Sequence, residues 1–309
     1  MEQTKMLDKY EYFESNKEYY YSSHFKIIFD SNKNILLNSN IQLCNNTYLE
    51  YCKQNINSID LTINYETHKN IIFIQHWFTT YGHFTDELFN LYNFYSLLNN
   101  KQYKVGMNYK PIFNINYKFD NYDTLSKILF NSNNFINTCQ HNIIKINNLI
   151  LIKHDLFSPM FHMFPKLSVD KILSSLKHEP NNFNKNVFIT RGTALHMPRN
   201  LDNQIEIEQH LLSINYNVIN PEVIDIETLI QQIKNAENIY ITWGGALVNL
   251  CYVNPNANIY IFKSLSYMHE ELFPVFKFLQ TYKNLYVIEC NDKNKIDIPF
   301  ETTKVTYTQ

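Results

Sequence analysis

The stretch Ile239–Asn249, IYITWGGALVN, decides the fold of this chain. A β-branched and aromatic run (Ile239, Tyr240, Ile241, Thr242) meets two adjacent glycines, Gly244 and Gly245, and a helix-forming run from Ala246 to Leu250 follows. Strand, tight turn and helix N-terminus in that order leave backbone N–H groups and the positive end of a helix dipole facing one point. That geometry suits an anion, most often a phosphate. Glycine at the turn permits positive φ and a close approach of ligand to backbone. Buried turns also use glycine for packing alone, so the dipeptide by itself leaves both uses open.

Scarcity sharpens the reading. The 309 residues hold 5 Gly and 2 Trp, and only two arginines, Arg191 and Arg199, among 27 Lys+Arg. These rare residues cluster: Arg191 abuts Gly192, Trp243 abuts Gly244, and Trp77 shares QHWFTTYGHFTDE with Gly82. The remainder is rich in Asn, Ile, Lys, Tyr and Phe, as in proteins of AT-rich genomes. Where codon bias presses against Arg and Gly, those that remain are expected in roles that Lys or Asn cannot fill. For arginine that role is bidentate binding of phosphate or carboxylate. The plain alternative is chance clustering.

The bulk numbers exclude several classes. Hydrophobic content of 45% allows a large core, and the length fits two domains or one large one. A net charge of −2 gives no electrostatic case for nucleic acid or an anionic membrane. No apolar run approaches the roughly 20 residues of a membrane span. The polar N-terminus lacks the apolar core of a signal peptide. Cys44, Cys52, Cys139, Cys251 and Cys290 are scattered, without C-x-x-C spacing, and read as buried thiols of a reducing compartment. A cytoplasmic location is expected.

Along the chain, residues 1–24 read as a solvated arm. Short strands are expected at Phe25–Phe29 and Ile35–Leu37, and residues 38–69 resist assignment. A strand at Ile71–Gln75 leads through a loop to a helix at His83–Leu98, whose apolar positions keep helical spacing. A strand at Tyr103–Met107, a helix at Tyr122–Leu129 and a strand at Ile143–Ile152 follow. Past Pro159 and Pro165 the alternation is clean. Helices are expected at Leu167–Leu176, Asp202–Ile214, Ile226–Lys234, Ala246–Tyr252 and Met268–Leu279. Strands are expected at Asn186–Thr190, Tyr216–Ile219, Ile239–Thr242, Asn258–Phe262 and Leu285–Glu289, with a further edge strand at Lys304–Thr308. This is the pattern of parallel α/β sheets. Two domains, 1–165 and 166–309, imply a cleft between them.

The C-terminal half, VFITRG…PRNLDNQIEIEQHLLSINYNVINPE…IKNAENIYITWGGALVN, resembles glycosyltransferase family 61. That family shows a strand ending in Arg, a second Arg, an Asn before an acidic helix, a Pro-Glu pair and a Gly-Ala-x-Leu-x-Asn turn-helix. Gly245-Ala246-Leu247-Val248-Asn249 approximates the last of these, one residue shorter. HWFTTYGHFTDE resembles the family's His-x-x-x-Glu segment, so the resemblance runs over roughly residues 70–265. It implies a GT-B-like fold of two Rossmann-like doubly wound domains, with the nucleotide-sugar held mainly by the second. It also implies an inverting reaction that needs no metal. Two positions depart from the family: Trp243 stands where many members have His, and Leu229 where a polar residue is common.

The roles follow, each beside its plainer reading. Arg191, at a strand's carboxyl end, is expected on the diphosphate; the alternative is a salt bridge. Arg199 is a phosphate contact or a structural ion pair. Gly244, Gly245 and Ala246 offer N–H groups to the diphosphate, and Trp243 walls the site or stacks on a ring. Asn249 bonds phosphate or caps a neighbouring loop. Glu222, after Pro221, is implied at the ribose hydroxyls, or else it is an acidic helix start. His83 and Glu87 lie four apart and share a helical face. Inverting transfer needs a base for the acceptor hydroxyl and stabilisation of the leaving diphosphate. Glu87 is preferred over His83 as that base; alternatively the two merely pair. Asp86 points elsewhere. Zinc at His76, His83 and Glu87 fits no standard spacing. Asp225 and Glu227 read as helix-start acids, and His154, Asp155 and His162 as cleft-lining or structural.

The expectation is therefore an inverting glycosyltransferase using a nucleotide-diphosphate sugar, a UDP-sugar before others, with a hydroxyl of a glycan or glycoprotein as acceptor. No cofactor, metal, nucleic acid or membrane span is expected, and a homodimer is left open. The composition fits a large DNA virus or an AT-rich microbe. The rivals are a GT-B nucleotide-sugar epimerase or hydrolase and a catalytically silent sugar-nucleotide- or glycan-binding protein.

Overall fold

Four segments of the second half share one pattern: an Asn, then aliphatic, aromatic and aliphatic side chains. They are NVFI, NIYIT, NIYIFK and NLYVIE. Such runs, apolar on both faces, belong to strands covered on both sides. In the computed structural model they become β8 (Asn186–Ile189), β10 (Asn238–Thr242), β11 (Asn258–Lys263) and β12 (Asn284–Glu289). The structure describes residues 2–25, 27–36, 46–74, 81–107, 119–131, 133–138, 142–152, 164–176, 183–190, 201–221, 223–265, 277–282, 284–300 and 302–304.

The chain divides into two compact units, residues 1–114 with 126–161, and residues 115–125 with 162–309. In the second, the sheet order is β13-β12-β11-β10-β8-β9, where β9 is Asn217–Ile219 and β13 is Thr303–Lys304. All pairs are parallel except β12 with β13. The register aligns the four leading asparagines. Asn238 Nδ2 donates to Asn186 Oδ1 at 2.9 Å, and Asn258 Nδ2 donates to Asn238 Oδ1 at 2.8 Å. Period-two alternation then sorts the side chains. Val187, Ile189, Ile239, Ile241, Ile259 and Ile261 take one face, and Phe188, Tyr240, Tyr260, Phe262, Tyr286 and Ile288 the other.

The aromatic face is covered by Ile207 and Leu211 of α5 (Gln204–Ser213). Tyr240, Tyr260 and Tyr286 stack along it at 4.5 and 4.9 Å with planes 16° apart. Each fully buried Ile or Phe contributes about 1.5–3 kcal/mol. β8 connects through α5 to β9 on one side, and β9 returns through α6 (Ile226–Asn235) to β10 on the other. The strand order therefore reverses between β8 and β10. Asp225 caps α6, accepting from Thr228 N at 2.8 Å, as read from the sequence. α3 (Phe119–Phe130) is divided between the units at Leu125. Its Asn121 donates to Ile224 O at 3.1 Å and accepts from Ile226 N at 2.9 Å, holding the start of α6.

The first unit has the order β1-β2-β7-β4-β5-β6, with β3 (Ile27–Asp30) on β2. β7 (Ile143–Ile152), β4 (Thr67–Ile74), β5 (Lys104–Met107) and β6 (Phe135–Asn137) are parallel. α1 (Asn46–Ile56) fills part of the stretch the sequence left unassigned. Residues 1–24 are not a solvated arm. β1 (Glu2–Leu7) and β2 (Tyr10–Ser22) form an antiparallel hairpin, and β2 pairs along nearly all of β7. Tyr10, Tyr12, Tyr19, Tyr20 and Tyr21 are buried there. Their rings supply apolar area that a charge-based reading discounts. The interspersed charges pair across strands, Lys5 with Glu14 and Lys145 with Glu18.

Elsewhere most expected elements form, α4 (Lys166–Ser175) among them, many with ends shifted by a residue or two. β4 begins at Thr67 rather than Ile71, α3 begins at Phe119 rather than Tyr122, and Ile35 makes an isolated bridge to Phe29 in place of an expected strand. Two further exceptions lie near the C-terminus. Gly245–Tyr252 is a 3-10 rather than an α-helix. Residues 268–276, the greater part of an expected helix, fall outside the described residues, after which Lys277–Thr281 is 3-10. No helix among the described residues is long and apolar enough to cross a membrane.

Candidate functional site

In the first unit the chemistry sits on α2 (Tyr81–Leu98). From Phe84 to Leu91 every side chain is buried, so these two turns are enclosed all round, while Leu97 near the carboxyl end is exposed. Glu87, the expected base, is 1% exposed, and Asp86 lies in the interior as well. Burial, and then the Glu87 charge, push the Asp86 carboxyl well above the usual carboxylate range; Lys9 and the Asn90 hydrogen bond pull the other way. A hydrogen-bonded chain holds the acid. Asn90 Nδ2 donates to Asp86 Oδ1 at 3.1 Å, Tyr10 Oη donates to Asn90 Oδ1 at 3.0 Å, and Asn93 Nδ2 donates to Tyr10 Oη at 3.0 Å. The hairpin that carries Lys9 and Tyr10 thus reaches the acidic pair, a link invisible from the spacing of α2 alone. His83 lies in the first turn of α2, and its side chain is outside the described residues.

In the second unit the glycine turn stands at the carboxyl end of β10. The strand direction continues through Trp243, whose N–H donates to Phe262 O at 2.8 Å. Gly244 then takes φ 145° and ψ −161°, a region open in practice only to glycine. The 3-10 helix starts at Gly245, with Leu247 N donating to Gly244 O at 3.0 Å. Asn249 is buried, and its Nδ2 donates to Ala246 O at 2.9 Å. That side chain competes for a carbonyl an α-helical N–H would use, a physical reason for the tighter helix. Trp243 is almost fully buried, and Leu229 lies on the buried face of α6 with Ile226, Ile230 and Ile233.

Because the strand order reverses between β8 and β10, the connections leaving their carboxyl ends diverge. Open α/β sheets bind ligands at such a point. Thr190 directly follows β8, the register neighbour of β10, which carries the glycine turn. Arg191, Arg199 and Glu222 themselves are outside the described residues, as are His76, Trp77, His154, Asp155 and His162.

The sequence reading missed a polar cluster at this edge. Thr190 Oγ1 donates to Glu208 Oε1 at 2.5 Å and accepts from Gln204 Nε2 at 2.7 Å; Gln204 Nε2 also donates to Glu208 Oε1 at 3.1 Å. Gln204 Oε1, Thr242 Oγ1 and Ser264 Oγ are buried without a hydrogen-bond partner. A buried polar group left unpaired costs about 1–3 kcal/mol. The legible signal was alternation: Thr190 and Thr242 lie two residues beyond the aromatic-face residues Phe188 and Tyr240. Asn203, the Asn before the acidic helix, has a structural role. It donates to Ile296 O at 2.8 Å and accepts from Ile296 N at 3.1 Å.

Among the described residues no group of three or more His, Cys, Asp or Glu is placed to hold a metal ion. No curated protein matches the chain. The family model described as Glycosyltransferase 61 matches residues 81–260, from the first residue of α2 into β11. That range holds both the acidic pair and the glycine turn and covers more than half of the sequence, so the chain belongs to glycosyltransferase family 61.

Proposed function

We propose that the protein is an inverting, metal-independent glycosyltransferase of GT-B type, moving a sugar from a UDP-sugar to a hydroxyl of a glycan or glycoprotein. The observation that carries the reading is the Gly244 turn. A glycine-only conformation at the carboxyl end of β10, beside the end of β8, leaves N–H groups of Gly245 and Ala246 for a diphosphate. Arg191 and Arg199 add bidentate donors to the leaving group, and Glu222 serves the ribose. Glu87, with His83 as the alternative, takes the proton of the acceptor hydroxyl as its oxygen attacks the anomeric carbon. The C–O bond to the diphosphate then breaks with inversion.

Turnover of UDP-sugars, with and without acceptor and with and without EDTA, tests this reading. Transfer that survives EDTA and needs acceptor is the expected result; donor consumption without acceptor would point to an epimerase or hydrolase. Trp243 favours a second reading, a sugar-nucleotide-binding protein without turnover, because indole cannot replace the His of other members as an acid. Binding of UDP with no transfer under any acceptor would establish that second reading.

A further inference from the structure

The polar cluster at the carboxyl edge of the second sheet has a definite hydrogen-bonding sense. Both amide hydrogens of Gln204 are engaged, one by Thr190 Oγ1 and one by Glu208 Oε1. The group it has left is Oε1, a pure acceptor. Thr190 is satisfied by Gln204 and Glu208. Extending the β8–β10 register by one residue sets Thr242 beside Thr190 on the face that α5 covers. Continuing the alternation of β11 carries Ser264 to that face, two residues beyond Phe262, the register partner of Thr242. Thr242 and Ser264 are each 1% exposed, and their hydroxyls, like Gln204 Oε1, have no partner. Three unsatisfied polar atoms thus belong to residues on one face, at the carboxyl ends of β10 and β11 and the start of α5.

We propose that Gln204, Thr242 and Ser264 form a subsite for a neutral group bearing vicinal hydroxyls. This rests on the reading of the chain as a user of nucleotide-sugars, and it adds a contact outside the glycine turn. Two hydroxyls that donate or accept, on the same face as one obligate acceptor, match a diol, which also does both. A phosphate fits badly: it brings only acceptors to Gln204 Oε1 and sets a second negative charge near the Glu208 carboxylate. An apolar group would leave all three atoms unpaired. Ser264 lies beyond the family match, which ends at residue 260, so the subsite combines shared and chain-specific positions. The diol belongs either to the ribose of the nucleotide or to the ring of the transferred sugar.

The test is titration calorimetry of the full chain and of Thr242→Val and Ser264→Ala with UDP, 2′-deoxy-UDP, UDP-glucose and UDP-N-acetylglucosamine, alongside ligand-free thermal melts. Removing an unpartnered hydroxyl should leave the ligand-free melting temperature unchanged or higher, whereas loss of a structural hydrogen bond would lower it. Each variant should bind the diol-bearing ligand about three- to tenfold more weakly. If the ribose is the occupant, the wild-type preference for UDP over 2′-deoxy-UDP disappears in the variants. If the transferred sugar is the occupant, affinity for UDP holds while affinity for the UDP-sugar falls. Unchanged affinities for all four ligands would overturn the subsite and leave a water-filled cluster. A wild-type protein that binds none of them would overturn the donor reading itself, and the subsite with it.

Discussion

The two units bury polar chemistry in opposite ways. On α2 the interior groups are ionisable, Asp86 beside Glu87, tied through Asn90 to Tyr10 of the N-terminal hairpin. At the carboxyl edge of the second sheet the unpaired interior atoms are neutral, two hydroxyls and an amide oxygen, with the half-buried Glu208 carboxylate engaged by Thr190 and Gln204. A buried acid responds to pH and to its charged neighbours. Buried hydroxyls respond only to what can hydrogen-bond with them. On the proposed function, proton transfer falls to the first unit and ligand binding to the second.

The sharpest way to break this division is Glu87→Gln. Transfer should fall about 10²- to 10⁴-fold, the usual worth of a general base, while UDP affinity measured by calorimetry stays within twofold. Undiminished turnover would remove Glu87 from the chemistry. Next in size are matched core truncations, Phe73→Ala in the first unit and Phe262→Ala in the second, both fully buried. Each should cost about 3–5 kcal/mol in denaturant melts. Two separate unfolding transitions, each sensitive to one variant, would show the units to be thermodynamically independent; a single shared shift would show one cooperative block.

Gly244→Ala forces a side chain into φ 145°. A loss of about 1–3 kcal/mol in thermal stability, with weaker nucleotide binding, is expected. Asp225→Ala, which deletes the cap on Thr228 N, should cost about 1 kcal/mol without touching binding. Asp86→Asn is read on a pH slope rather than at a single pH. A carboxyl raised above its unfolded value of about 3.9 contributes stability fully present below that value and lost as pH rises through its folded pKa. Chemical denaturation from pH 4 upward should therefore show a decline in the parent that the Asn variant lacks. Parallel curves would mean that Asp86 is not the group responsible.

Tyrosine shows how far local sequence can be read. In β10, β11 and β12 it alternates with isoleucine or valine, and the strands are plain. In MEQTKMLDKYEYFESNKEYYYSS it lies among charges, and nothing local reveals that β7 supplies the second side. The scarce glycines divide similarly. Gly244 announces its turn, while Gly106 is needed because a Cβ there would come within 2.9 Å of Phe73 Cδ2, a contact across neighbouring strands.

By itself the sequence determined the family, the alternation of strand and helix, the glycine turn after β10 and the place of Glu87 on a helix. These rest on short-range periodicity and on backbone conformations few residues can adopt. Tertiary structure alone decided that β8 and β10 are neighbours, since strand order is a property of the sheet. It alone enclosed the turns of α2 from Phe84 to Leu91. It alone gave Asn203 a partner 93 residues away in Ile296. It alone gathered Gln204, Thr242 and Ser264 on one face, because pleat and register turn distant residues to the same side while leaving no trace in their spacing along the chain.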